Sequence, residues 1–333
     1  MAENAIETDM LVKEFNGIKA VKGINLTIEK GELFGFLGPN GAGKTTTISM
    51  LCTILKPTKG SATVWGFDIT KEPDAVRKSI GIVFQDPSLD DQLTGMENLR
   101  FHARLYKVPR EDIDHRIKEL LNIVELSDRA DDIVKTYSGG MRRRLEIARG
   151  LLHHPHVLFL DEPTLGLDPQ TRRHIWTYIE RLNKEQKVTI LLTTHYMDEA
   201  DHLCNRIAII DHGEIVAQDS PSKLKESMGG DVISLTVAPV TDTLISILKT
   251  VQNVKDVRTI GDSLQLTVAD SKKTIPLLFD AVTRCNANIS SISLREPTLD
   301  DVFMKFTGHE LREDKEGAKS YMMRQRTRRR IRQ

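Results

Sequence analysis

The stretch Gly38-Pro39-Asn40-Gly41-Ala42-Gly43-Lys44-Thr45 decides how this chain reads. Before it lies Leu33-Phe34-Gly35-Phe36-Leu37, a continuous apolar run of the kind buried on both faces in a parallel sheet. After it, Lys44 to about Leu55 reads as a helix, ended by the turn chemistry of Lys56-Pro57-Thr58-Lys59-Gly60. The spacing is G-x-x-x-x-G-K-T, set between a buried strand and a helix. Glycines let successive backbone N–H groups converge on phosphate oxygens, and the helix N-terminus adds partial positive charge. Lys44 offers a compact cation to the β- and γ-phosphates, and Thr45 offers a hydroxyl to Mg²⁺, with Thr46 beside it. A Gly-rich turn can precede a helix without binding anything. The Lys-Thr pair and the flanking elements favour phosphate binding here.

A second strand ends in acids: Val157-Leu158-Phe159-Leu160-Asp161-Glu162. In open α/β sheets ligands collect at the carboxyl ends of the strands. Asp161 is therefore placed to hold Mg²⁺, directly or through water, and Glu162 to polarise an attacking water. Val188–Thr193 is a further buried-strand candidate, and Asp112–Val124 a helix with Ile113, Ile117, Leu120, Leu121 and Val124 on one face. Strands alternating with helices predict an α/β fold with a largely parallel sheet. Ile24–Glu29 alternates apolar and polar residues, as a half-buried strand does.

Shortly before the acidic strand end lies Tyr137-Ser138-Gly139-Gly140-Met141-Arg142-Arg143. Ser138 suits the N-cap of a helix, and a second Ser-Gly-Gly loop at a helix start is a second anion site. With these residues in view, the chain resembles the ATP-binding cassette (ABC) ATPases, the nucleotide-binding subunits of ABC transporters. The resemblance covers about residues 6–220, with the motifs in the family's order. Gly38–Thr45 matches the Walker A loop, Gln85 the Q-loop and Ser138-Gly139-Gly140 the signature. Leu158–Glu162 matches Walker B, Gly166-Leu167-Asp168 the D-loop, and His195 the switch histidine. Phe15 fits the aromatic residue that stacks on adenine. Two departures stand out. Tyr137 and Met141 replace the usual Leu and Gln of the signature, and the adenine stacker is Phe rather than Tyr.

The resemblance implies a P-loop NTPase cassette with a parallel core sheet, an antiparallel β subdomain and a helical signature subdomain. It implies ATP and Mg²⁺ as cofactors, with Glu162, His195 and Lys44 catalytic. The nucleotide contacts would come from Phe15, Gly38, Asn40, Gly41, Ala42, Gly43, Lys44, Thr45, Thr46, Gln85, Ser138, Gly139, Gly140 and Asp168, and the metal contacts from Thr45, Gln85 and Asp161. The implied partners are a second copy of the chain, paired head to tail around ATP, and an integral-membrane permease facing the segment around Asp86–Arg104. The implied location is the cytoplasmic face of the membrane, and nucleic acid is not an expected partner. Within the family the likeness is to drug-exporter ATPases of the daunorubicin-resistance type. It rests on Leu93–Leu99, Tyr137–Arg143, Thr164–Pro169 and Glu296-Pro297-Thr298-Leu299-Asp300-Asp301-Val302-Phe303. The cargo would be a drug, lipid or polysaccharide-like solute. The alternative is a soluble ABC ATPase of translation or DNA maintenance. Only one motif set is present, and no long heptad run separates Thr45 from Ser138, so export is favoured.

The 333 residues suit about two domains. Residues 1–228 are expected to form the cassette and 231–311 a small α+β domain. The latter reads βαββαβ, the order of a ferredoxin-like unit, with Pro276 in the first turn of its second helix. Residues 312–333 read as a basic, disordered tail. Formal net charge is zero, from 47 basic and 47 acidic groups, but the average hides two unlike parts. Lys319–Gln333 holds seven basic residues and no acid, leaving 40 basic against 47 acidic groups in residues 1–318. Such an arm is either solvated or drawn to anionic lipid. No apolar run approaches the ~18–20 residues of a membrane-spanning helix. No secretory signal is visible at Met1-Ala2-Glu3-Asn4. Cys52, Cys204 and Cys285 form no metal spacing and suit a reducing compartment. His153-His154-Pro155-His156 reads as a solvated helix C-terminus. Arg142, Arg143 and Arg144 read as spread around a helix and paired with acids, Glu146 among them, and Trp65 and Trp176 as packing residues.

Overall fold

A computed structural model describes residues 3–85, 88–260, 263–285 and 287–308. The 312–333 tail and Asp86 of the Q-loop lie outside the described residues. The chain opens with β1 (Asn4–Phe15) and β2 (Ile18–Glu29), which pair antiparallel. The turn after β2 leads into β3 (Leu33–Leu37), every residue of which is buried. The glycine loop follows, and then α1 (Lys44–Leu51). This helix is shorter than the apolar pattern predicts. Thr53 takes a left-handed φ of 63°, and the N–H groups of Ile54 and Leu55 turn back to Ser49 O. β4 (Lys59–Val64) and β5 (Phe67–Asp68) complete an antiparallel sheet ordered β2-β1-β4-β5.

The chain continues through α2 (Pro73–Ser79), β6 (Ile80–Val83), α3 (Gly95–Leu105), α4 (Arg110–Ile123) and α5 (Gly139–Gly150). Then come β7 (Val157–Asp161), α6 (Pro169–Gln186), β8 (Thr189–Thr194), α7 (Met197–Leu203), β9 (Arg206–Asp211) and β10 (Glu214–Asp219). The second sheet has the order β10-β9-β3-β8-β7-β6, and its members from β9 to β6 run parallel. β3 thus lies between β8 and β9, and β7 is the next neighbour of β8. Leu37 is level with Thr194, and Asp161 with Thr193. The carboxyl ends of β3, β7 and β8 therefore open side by side, which is where a doubly wound sheet places its ligand. Both sheets share one core. Phe34, Phe36, Phe159 and Leu191 join Ile6, Ile28 and Val64 in a single buried cluster. Each such side chain contributes about 1.5–3 kcal/mol when fully buried.

The chain divides between Gln218 and Asp219 into two compact units, about ten residues before the Gly229-Gly230 pair where composition suggests a boundary. The second unit includes α8 (Pro221–Glu226), which packs on α11 (Leu299–Thr307) at the end of the same unit. Between them lie β11 (Asp231–Ala238), α9 (Asp242–Thr250), β12 (Val254–Ile260), β13 (Ser263–Val268), α10 (Ser271–Arg284) and β14 (Asn288–Arg295). The sheet order β12-β13-β11-β14, antiparallel throughout, is the ferredoxin-like arrangement that the βαββαβ order predicts. Pro276, however, sits inside α10 rather than in its first turn. The helix starts earlier, because Asp270 caps it by accepting from Lys273 N at 3.2 Å.

The acidic Glu296–Phe303 segment forms a clasp. Buried Asp301 accepts from Thr298 N at 2.8 Å, Gln265 Nε2 at 3.0 Å and Arg295 Nη2 at 2.7 Å, and it also pairs with Arg295 Nη1. Burial pushes its carboxyl up, but the Arg295 and Thr298 bonds and the Arg295 charge outweigh that and hold its pKa low. Its stabilisation is therefore present above the usual carboxylate range and lost as pH falls through the lowered value. Asp301→Asn is expected to cost about 2 kcal/mol by replacing charge-assisted bonds. The check is the midpoint of urea unfolding at neutral pH, and an unchanged midpoint would remove the clasp from the account of this unit.

Candidate functional site

The glycine loop connects the end of β3 to the start of α1. Gly43 has a φ of 107°, and a Cβ there would lie 2.6 Å from Ala20 O, so the turn into the helix accepts only glycine. Asn40 and Gly41 are exposed at the loop's outer side, and Ala42 is buried beneath it, its carbonyl accepting from Gly213 N at 3.0 Å. Lys44 begins α1 and is 4% exposed. Its Nζ donates to Gly38 O at 2.7 Å and Pro39 O at 3.2 Å, and it stands 3.4 Å from Glu162 Oε1. Burial lowers the Lys44 pKa, and the neighbouring Glu162 and Asp161 charges work against that shift.

Asp161, the last residue of β7, is 1% exposed. Thr45 Oγ1 donates to its Oδ2 at 3.0 Å, and Thr193 Oγ1 from β8 donates to its Oδ1 at 2.5 Å. A buried carboxylate beside a threonine hydroxyl, at the mouth of a phosphate loop, is a hard-oxygen donor set. It fits Mg²⁺, which takes one or two protein oxygens and fills its other positions with phosphate and water. Thr46 lies half-buried in the first turn of α1.

Glu162 has a left-handed φ of 48°, an uncommon conformation for a residue other than glycine. It is held there because its N–H is bonded to both the carbonyl and the hydroxyl of Thr193, each at 3.1 Å. The turn swings the carboxylate between two cationic or proton-carrying groups. Oε1 lies 3.4 Å from Lys44 Nζ and 3.3 Å from His195 Nδ1. Burial alone would raise the Glu162 pKa, but the hydrogen bond from His195 and the Lys44 charge hold it below the usual carboxylate range. Glu162 is therefore ionised at neutral pH.

Strand adjacency thus brings Lys44, Thr45, Asp161, Glu162 and His195 into one cluster. The other expected residues stand on separate elements. Ser138 caps α5, its Oγ accepting from Met141 N at 3.3 Å, and Gly139 and Gly140 form the first turn. Asp168 caps α6, accepting from Thr171 N at 3.0 Å and Thr171 Oγ1 at 2.6 Å. Gln85 follows β6 and is exposed. Phe15 ends β1, 43% exposed, with Lys13 Nζ 5.0 Å from its ring centroid.

Some side chains make contacts beyond what their sequence setting announces. Thr193 was visible only as a strand residue. Arg143 does pair with Glu146, at 3.1 Å, as Arg142 does with Asp91 and Arg144 with Glu125. It also donates to Pro163 O at 2.7 Å, Phe84 O at 2.6 Å and Asp161 O at 3.0 Å. The only local signal was an acid three residues later. Trp176 packs as expected and in addition donates to buried Glu199 at 2.9 Å. Within the histidine cluster His154 and His156 are exposed, as a solvated helix end requires, and His153 is the exception. His153 is half-buried, its Nε2 is 2.8 Å from Ile80 O, and its ring stacks on Tyr106 at 4.3 Å. Burial lowers its pKa, so it is neutral at pH 7 and answers to packing rather than to the helix dipole. His156 stacks on Trp65 at 4.3 Å.

Among the described residues no helix is long and apolar enough to cross a membrane. The family model "ABC transporter" matches residues 21–165, and "ATP-binding protein DrrA1-3-like, C-terminal domain" matches residues 220–307. The daunorubicin/doxorubicin resistance ATP-binding protein DrrA of Streptomyces peucetius is 42% identical over 310 residues, 92% of this chain and 93% of its own. The linearmycin resistance ATP-binding protein LnrL of Bacillus subtilis is 38% identical over 312 residues, 92% of this chain and all of its own. Among solved structures, CbiO1 of Clostridium perfringens, part of an ABC transporter complex, superposes with a TM-score of 0.63 at 32% identity, covering 68% of this chain and 93% of that one. A cassette solved as a dimer in a post-hydrolysis state with ADP and phosphate gives a TM-score of 0.58 at 28% identity, covering 65% of this chain and 98% of that one. Identity at this level, carried along nearly the whole of both chains, leads to one conclusion: this chain belongs to the ATP-binding proteins of ABC transporters and is an ATPase.

Proposed function

We propose that the chain is the energising subunit of an ABC exporter, working at the cytoplasmic face of the membrane through a separate permease. The observation that carries this reading is the Glu162 carboxylate, ionised and held between Lys44 and His195 beside the Thr45–Asp161 pair. Glu162 takes a proton from the attacking water. His195 orients Glu162 and donates to the γ-phosphate. Lys44 and the loop N–H groups neutralise phosphoryl charge as it shifts toward the leaving group. Thr45 and Asp161, with Gln85 as a further ligand, would hold Mg²⁺, which supplies Lewis-acid neutralisation of the phosphate oxygens.

One copy carries both a phosphate loop and a Ser138-Gly139-Gly140 anion site, each at a helix N-terminus. Two copies arranged head to tail would close each ATP between the loop of one and the signature of the other. The γ-phosphate then decides whether the halves close. Gln85 would pass that state to the segment beyond it, where α3 exposes Phe101 and Leu105. The resistance names of the relatives support an antibiotic-type cargo. A lipid or a polysaccharide-like solute is the alternative.

The test is recovery of the tagged full-length chain from detergent-solubilised membranes. A multi-span membrane protein is expected to co-purify, and the pair is expected to hydrolyse ATP. Recovery without any membrane subunit, together with salt-sensitive nucleic-acid binding, would favour a soluble, non-transport role instead.

A further inference from the structure

We propose that Arg172 and Tyr196 act as a positioning pair for His195, tying the switch histidine to the helix that begins at Asp168. α6 presents Arg172 and, one turn later, Trp176 to the segment that leaves β8. The Arg172 guanidinium carbon lies 3.9 Å from the centroid of the Tyr196 ring, and its Nη1 lies 3.7 Å from Asp198 Oδ2. Trp176 Nε1 donates to Glu199 Oε1 at 2.9 Å, and that oxygen also accepts from Thr164 Oγ1 at 2.8 Å. Two residues of one helix face thus grip the residues that immediately follow His195. The Tyr196 ring lies 4.2 Å from the His195 ring, and His195 Nδ1 lies 3.3 Å from Glu162 Oε1. Tyr196 N donates to Thr194 Oγ1 at 2.9 Å, which fixes the turn.

Among the described residues the buried Nε has no hydrogen-bond partner, while the guanidinium rests on the Tyr196 ring and pairs with Asp198. A planar cation on an aromatic face is an arrangement for which arginine is better suited than lysine. At the other end, Arg172 N donates to Asp168 O at 2.9 Å, the first bond of α6. Thr171, which Asp168 caps, presses on the signature helix, since a Cβ on Gly140 would lie 2.3 Å from its Cγ2. The first turn of α6 therefore touches the signature on one side and the switch segment on the other. A shift at Asp168 or Gly140 is passed through Arg172 and Tyr196 to the His195 ring. His195 must keep its ring within hydrogen-bonding reach of Glu162, and misplacing such a group by about 1 Å costs up to ~100-fold in rate.

The inference rests on the proposed roles of Glu162 and His195. Its test is the ATPase rate of the purified full-length chain against MgATP concentration. Tyr196→Ala and Arg172→Met are each expected to lower kcat roughly tenfold with KM changed by less than about twofold. Tyr196→Phe keeps the ring face and is expected to retain near-normal kcat. The double variant Arg172→Met/Tyr196→Ala is expected to be no worse than the weaker single, because both changes remove one interaction. Arg172→Met reads the coupling even if Tyr196→Ala fails to fold, as the Arg172 side chain is partly exposed and Met keeps its apolar stem. Unchanged kcat in Arg172→Met, an equal loss in Tyr196→Phe, or multiplying losses in the double variant would overturn the pairing. His195→Ala separates the two levels. If it leaves turnover intact, the role of His195 falls, whereas its loss with normal Arg172→Met activity sinks the positioning pair alone.

Discussion

Glu162→Gln is expected to cut ATP turnover by about 10³-fold while leaving ATP binding intact, because the amide cannot accept the proton of the attacking water. The substitution preserves shape. It also leaves Lys44 with its bonds to Gly38 O and Pro39 O, so the phosphate loop should keep its form. Removing the negative charge 3.4 Å from Lys44 frees more of that cation for the γ-phosphate. The expected product is a stable dimer holding uncleaved ATP. Size-exclusion chromatography with nucleotide analysis reads both quantities at once. Near-normal turnover would remove Glu162 from its role.

The second large effect is on stability. Arg143→Leu is expected to destabilise the fold by about 3–5 kcal/mol, the usual cost of breaking a buried ion pair by removing one partner. Arg143 and Glu146 are 8% and 2% exposed. Without the guanidinium, Glu146 keeps, among the described residues, the bonds from Ser88, the nearer at 2.6 Å from its N–H, and its charge stays buried. Three carbonyls also lose a donor, at Phe84, Asp161 and Pro163. Phe84 precedes Gln85, and Asp161 and Pro163 flank Glu162, so one side chain of the signature helix holds the ends of β6 and β7 in place. Denaturant unfolding should show the loss as a lower midpoint. Arg143→Leu/Glu146→Leu should recover part of it, since no unpaired charge remains. A single-variant change under about 1 kcal/mol would show that the cluster is not a stabilising element.

Linear patterns sufficed for much of this molecule. G-x-x-x-x-G-K-T, a five-residue apolar strand before it and an acidic strand end are local features, and their chemistry needs only neighbouring residues. The βαββαβ order of the second unit could likewise be read from alternation and helical spacing, and it emerged with the expected strand order. Local patterns were weakest where chain direction or burial depends on distant partners. The end of α1 depends on a left-handed Thr53, and the start of α10 on the Asp270 cap. The unit division depends on α8 packing against α11, which no turn signal announces. His154 and His156 are exposed as their sequence setting suggests, but His153 is half-buried, because Tyr106, far away in sequence, stacks on its ring.

The sequence by itself determined which side chains are candidates to meet phosphate and metal, because a G-x-x-x-x-G-K-T loop encodes its chemistry in consecutive residues. Only the tertiary structure decided how those groups act together. Strand adjacency sets Thr193 against Asp161, and the left-handed turn at Glu162 brings its carboxylate between Lys44 and His195. The buried Arg143 and the Arg172–Tyr196 contact join elements separated along the chain. Such contacts arise from packing a parallel sheet whose neighbours are not consecutive, and the physical reason they stay hidden in sequence is that crossover connections put distant residues, such as Asp161 and Thr193, side by side.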